Sequence, residues 1–182
     1  MPRPQHADQV DTVYRGRVIT VNVEHVGLPN GNVARYEIVH HPGGAAVVAL
    51  DNAGNVCLLR QFRPAAGGWV WELPAGRLET GETPENTARR ELVEEAGRGA
   101  ERWESLGSIL SSPGVFAETI HLFLARDLLE TVHQHEQFEV IEIHWVPLAE
   151  AVRRALNGEL VDGKTIIGLL RAAALVQGFP ET

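Results

Sequence analysis

The sequence predicts an α/β fold, with a mixed β-sheet packed between helices. Three observations carry this. Short alternating or apolar runs are separated by turn residues, three segments have helical spacing, and several strands are linked by hairpin turns rather than long crossovers. The chain has 182 residues, 44% of them hydrophobic, enough to bury a sizeable core in one domain with a small appendage.

From Arg17 to Glu24, Ile19, Val21 and Val23 alternate with polar neighbours, which reads as a strand, and "LPNG" follows as a turn. "VARYEIVHH" alternates again and stops at "HPGG". The unbroken apolar run "AAVVAL" predicts a strand covered on both faces, and "DNAGN" turns it into "VCLLRQFR". After a Gly-rich loop, "WVWELPAG" supplies a short strand, with Trp69, Trp71 and later Trp145 expected in the core. "SLGSIL", "TIHLFLA" and "VIEIHWVPL" read as further strands; "LAEAVRRALNG" and "GKTIIGLLRAAALVQG" read as helices stopped by Gly158 and Gly178. The β-rich residues 1–42 are expected to form an N-terminal β region, and 43–182 the main domain.

A net charge of −8 argues against broad contact with nucleic acid or an anionic membrane surface. The N-terminus has no apolar stretch of the signal-peptide kind, and hydrophobic runs elsewhere fall short of the ~20 residues a membrane helix needs. A soluble, cytoplasmic protein is the expectation. Cys57 is the single cysteine, so no intrachain disulfide can form, and its apolar setting predicts a buried thiol.

The densest charge lies between Gly76 and Gly97, "GRLETGETPENTARRELVEEAG". Thr83 suits the N-cap, Pro84 the first helical position, Glu85 the positive end and Gly97 the stop, so a helix is predicted from about Pro84 to Ala96. At 100° per residue, Glu91 and Glu95 fall about 40° apart and Glu94 about 60° to the other side of Glu91, beside an apolar stripe of Ala88, Leu92 and Ala96. Like charges so placed repel, and a bound cation reverses the sign. Oxygen ligands select a hard ion such as Mg²⁺ or Mn²⁺, which keeps coordination sites for phosphate oxygens and water.

The spacing is Gly76, Glu82, Arg90-Glu91-Leu92, Glu94-Glu95, Gly97. It resembles the signature of the Nudix hydrolases. Leaving Leu92 out, the seven other positions at roughly 7% usage each give about one chance match in 10⁸ starting points, which sets coincidence aside. The family usually places an aliphatic residue after the final glycine, where this chain has Arg98. Flanking stretches, "LLRQFRPAAGGWVWELPAGRLE" and "SSPGVFAETIHLFLA", are similar to those of ADP-ribose pyrophosphatases, in which a proline follows the box by about fifteen residues; Pro113 has that place.

The resemblance implies a Nudix-type α/β/α sandwich with an N-terminal β subdomain. It also implies Mg²⁺-dependent hydrolysis (Mn²⁺ a possible substitute) of the pyrophosphate bond of ADP-ribose, to AMP and ribose 5-phosphate, or of a related nucleoside diphosphate sugar. GDP-mannose or another nucleoside diphosphate sugar, a dinucleoside polyphosphate, and a non-catalytic ADP-ribose-binding regulator are the alternatives. On this resemblance Glu91, Glu94, Glu95 and the Ala75 carbonyl would bind metal, and Arg90, near Glu82, would brace the carboxylates. Gly76, Glu82 and Gly97 would shape the motif. Arg63 would grip phosphate, Ser112, Pro113, Gly114 and Glu118 would lie near the sugar, and the base would be Glu139 or Glu136. The N-terminal strands would serve a homodimer.

Overall fold

The computed structural model describes residues 9–131 and 140–178. The chain clusters into two compact units, Met1–Gly43 with Leu110–Thr119, and Gly44–Ile109 with Ile120–Thr182.

In the first unit, β1 (Gln9–Arg15), β2 (Thr20–Gly27) and β3 (Val33–His40) form an antiparallel meander. A two-residue strand, β9 (Phe116–Ala117), lies parallel to the end of β3. Strand β2 starts at Thr20 rather than near Arg17, because Gly16 N donates to Ile19 O at 2.9 Å and closes a turn there. Every residue of β1 is exposed, so it has no buried face to leave a mark in the sequence.

The second unit contains β4 (Gly44–Ala49), β5 (Asn55–Arg63), a 3₁₀ turn (Pro64–Ala66), β6 (Gly68–Glu72), β7 (Ala75–Arg77) and α1 (Pro84–Ala96). It continues with β8 (Arg98–Leu110), β10 (Thr119–Glu130), β11 (Ile141–Pro147), α2 (Leu148–Leu156) and α3 (Gly163–Gln177). The single mixed sheet expected from the sequence is divided in two: β7-β4-β10-β8, with β4 parallel to β10, and the antiparallel β11-β5-β6. The cause is edge occupancy. Strand β4 pairs with β7 on one side and β10 on the other, leaving β5 only the bridge Leu50↔Val56.

Side-chain alternation sorts the core into two faces. Ala46, Val48, Leu58, Leu122 and Leu124 pack with Leu148, Ala151, Leu169 and Ala172 of α2 and α3. Their neighbours Ala45, Val47, Cys57, Leu59 and Phe123 pack with Ala88, Leu92 and Ala96 of α1. The result is the α/β/α layering that the sequence predicts. Helix α3 comes close to the sheet at Gly168, where a Cβ would stand 2.7 Å from Leu73 Cδ1 and 3.3 Å from Val48 Cγ2. Burial pushes the Cys57 thiol up to about 12, with the Glu95 charge adding to the effect. Trp69 departs from the core expectation: it is 41% exposed, because it shares a face of the β5–β6 hairpin with Phe62 and Arg60, edge-on to the first and under the guanidinium of the second.

Candidate active site

Helix α1 begins and ends as its sequence dictates. Thr83 Oγ1 accepts from Asn86 N at 3.2 Å, Pro84 follows, and Gly97 adopts the left-handed conformation, its N–H bonding the Val93 carbonyl at 3.0 Å. Ala88 and Leu92 are fully buried. Glu91 and Glu95 are carried inward on the same face and are buried too.

The Arg90 guanidinium is the hub of the acidic face. Its Nε and Nη2 donate to the two Glu82 oxygens at 3.0 and 3.1 Å, and Nη2 also reaches the Arg77 carbonyl at 3.1 Å. Its Nη1 spans Glu91 Oε1 at 2.6 Å and Glu94 Oε2 at 2.9 Å. Glu82 in turn accepts from Glu79 N at 3.2 Å and Thr87 Oγ1 at 2.8 Å, which closes the loop before the helix. The Arg90 hydrogen bonds, helped by Thr87 and Glu79 N, hold the Glu82 carboxyl down at about 2. Arg90 is pushed up by the Glu82 hydrogen bonds and by Glu91 and Glu94.

Glu95 is held differently: its Oε2 accepts from Ala75 N in β7 at 2.7 Å. The next residue, Gly76, explains a motif position by shape alone. A Cβ there would overlap the Glu91 carboxylate, so a residue without a side chain is required for that carboxylate to lie against β7. Arg98 sits above the Trp145 ring, 5.7 Å from its centroid, and 3.5 Å from Glu130.

The sequence predicts that the three carboxylates converge, and the structure refines this. Among the described residues, no group of three acidic, histidine or cysteine side chains forms a ready-made cation cage. The guanidinium stands between Glu91 and Glu94, while Glu95 faces a backbone amide. The repulsion expected of such neighbours is thus met by internal donors. The donor set is still all-oxygen, carried on one rigid helix turn and beside a strand kept bare at Gly76. It suits a hard divalent ion and offers nothing to a soft one.

Arg63 lies elsewhere in this unit, at the end of β5. Its Nε and Nη2 donate to the Glu72 oxygens at 2.7 and 3.1 Å. Lys164, which the sequence reading did not single out, donates to the same carboxylate at 2.5 Å. The available signal was Glu72 itself, one acidic residue inside the apolar run "WVWELPAG". Arg60 pairs with exposed Glu142 at 3.2 Å.

Ser112, Pro113 and Gly114 form an exposed turn of the first unit, in which Ser112 O accepts from Val115 N at 3.1 Å and Phe116 N at 2.8 Å. Glu118, in the same unit, is 2.8 Å from His41 Nδ1. Glu136 and Glu139 lie outside the described residues.

The family model described as the NUDIX domain matches residues 40–166. The chain belongs to the Nudix family. Relatives named ADP-ribose pyrophosphatase include proteins of Mycobacterium tuberculosis and Bacillus subtilis. The Mycobacterium tuberculosis protein is 37% identical over 174 residues, 94% of this chain and 84% of the relative. The Bacillus subtilis protein is 40% identical over 157 residues, 85% of each. A crystal structure described as an ADP compounds hydrolase superposes with a TM-score of 0.75 at 23% identity, covering 98% of this chain and 99% of that one. This last likeness shows a shared fold over almost the whole chain. Among the described residues no helix is long and apolar enough to cross a membrane.

Proposed function

We propose that this Nudix protein hydrolyses the pyrophosphate bond of ADP-ribose, or of a closely related nucleoside diphosphate sugar, with Mg²⁺ as its natural ion and Mn²⁺ able to replace it. The observation that carries the reading is the α1 acidic face, with Arg90 anchored to Glu82 and the Glu91 carboxylate seated over Gly76. The relatives named ADP-ribose pyrophosphatase support the substrate class.

In this reading Glu91, Glu94, Glu95 and the Ala75 carbonyl would hold the ion. When bound, it neutralises phosphate oxygens and makes a water molecule more acidic. Arg90 is anchored by Glu82, and its bonds to Glu91 and Glu94 would have to give way as those carboxylates turn to the ion. Arg63 binds a phosphate oxygen of the substrate. Ser112, Pro113, Gly114 and Glu118 bind on the sugar side. Glu139, or Glu136 in its place, takes the proton from the attacking water, a step worth typically 10²–10⁴-fold. The protein acts in the cytoplasm as a homodimer built through residues 1–42.

The test is a turnover panel at equal Mg²⁺: ADP-ribose, GDP-mannose, other nucleoside diphosphate sugars and dinucleoside polyphosphates, with products identified. ADP-ribose should show the highest kcat/KM and yield AMP and ribose 5-phosphate. Glu95→Gln should reduce that rate by several orders of magnitude while the unfolding midpoint stays close to that of the wild type. Tight ADP-ribose binding without turnover of any compound would replace this reading by a regulatory one.

A further inference from the structure

Away from α1, the second unit holds a half-buried ring of charges centred on Glu72, whose outer end is Arg63. The Glu72 side chain is 5% exposed and Lys164 14%, whereas Arg63 is 40% exposed. Glu72 Oε1 accepts from Arg63 Nε at 2.7 Å, and Oε2 accepts both from Arg63 Nη2 at 3.1 Å and from Lys164 Nζ at 2.5 Å. Lys164 also donates to Asp162 Oδ2 at 3.0 Å. That same oxygen accepts from Thr165 N at 3.0 Å as the cap of α3, and from Thr165 Oγ1 at 2.6 Å. Thr165 Oγ1 closes the ring by accepting from Leu73 N at 2.9 Å, next to Glu72.

Two cations and two anions share this ring. With Lys164 in place the four formal charges cancel; without it, Glu72 and Asp162 would leave a net negative charge beside Arg63, which repels a second anion. The bidentate geometry at Glu72 fixes the plane of the guanidinium. The α3 cap fixes Lys164.

We infer that Lys164 is a positioning residue for substrate binding: by sharing the Glu72 carboxylate it holds Arg63 in orientation, and by neutralising the ring's second negative charge it spares a phosphate oxygen of the substrate's diphosphate a net repulsion there. This rests on the reading that Arg63 contacts that diphosphate. Lys164 itself acts only through Glu72.

The experiment is a double-mutant cycle on KM and kcat for ADP-ribose with the full chain at saturating Mg²⁺. Arg63→Ala should raise KM by about tenfold or more, and Lys164→Met by about three- to tenfold with kcat within about twofold. Lys164→Arg should restore KM to within about twofold, and the double variant should be no worse than Arg63→Ala alone. Should Lys164→Met fold poorly, Lys164→Gln, which keeps a donor for Glu72 without the charge, should show the same KM effect. An unchanged KM in a folded Lys164 variant, or KM effects that multiply in the double variant, would overturn the inference alone. An unchanged KM in Arg63→Ala would overturn the phosphate contact itself, and the inference with it.

Discussion

At the residue scale, Gly76 and Arg90 show how little of a motif position is interchangeable. Gly76 is there for what it lacks, since any Cβ would occupy the space of the Glu91 carboxylate. Gly76→Ala should therefore move the flexible end of Glu91 rather than the strand. Because only that side-chain end gives way, the expected result is a loss of stability of about 1 kcal/mol, the size of one displaced hydrogen bond, read by urea unfolding, and a drop in hydrolysis of about tenfold or more, of the size that follows when a supporting contact of a metal ligand is disturbed. Equal activity in the variant would remove Glu91 from the site. The sequence made the acidic face of α1 legible because helical geometry fixes directions once the caps are known. It did not reveal that Arg90 stands between Glu91 and Glu94, because rotamers depend on the loop fold around Glu82 and Arg77. Lys164 escaped for a similar reason: its carboxylate lies 92 residues away in sequence.

At the scale of elements, the helices read most clearly. Helix α1 occupies the span its caps predict, and α2 and α3 stop beside Gly158 and Gly178. Thr83→Ala should cost about 1 kcal/mol and Thr83→Ser almost nothing, measured by urea unfolding, because the lost interaction is the single side-chain bond to Asn86 N. Equal stability of the two variants would show that Thr83 acts as a spacer and not as a cap. The strands were legible wherever one or both faces are buried, as in β4 and β5. They were less so where burial is absent, as in β1, and the division of the sheets was not legible at all. Alternation reports which way a side chain points; it carries no information on which neighbouring strand is still free to pair.

At the scale of the molecule, acid sensitivity follows from carboxylates held below their ordinary range. Glu82 is lowered from 4.5 to about 2, chiefly by hydrogen bonds from Arg90. For Glu72, burial pushes the carboxyl up, and the hydrogen bonds and charges of Arg63 and Lys164 outweigh it, leaving it lowered. A group depressed on folding stabilises the native state fully above its unfolded value, and the contribution disappears as the pH falls through the folded one. Stability should therefore be flat in these two groups above about pH 5 and decline from there toward pH 2. Glu82→Gln should be less stable than the wild type at neutral pH and should lose less on acidification, as followed by thermal unfolding across that range. An unchanged acid slope would assign the sensitivity to other carboxylates.

Strand β5 sends Val56 and Leu58 toward α2 and α3, and Cys57 and Leu59 toward α1. Sliding it by one residue would exchange those contents, which the two unlike linings resist. Sliding it by two would return each apolar group to the correct side, so oiliness by itself permits that error. Arg63 would then lose Glu72, and Arg60 would lose Glu142. The charged end of the strand thus acts as a vernier, selecting one alignment from a set that the greasy middle accepts as equivalent.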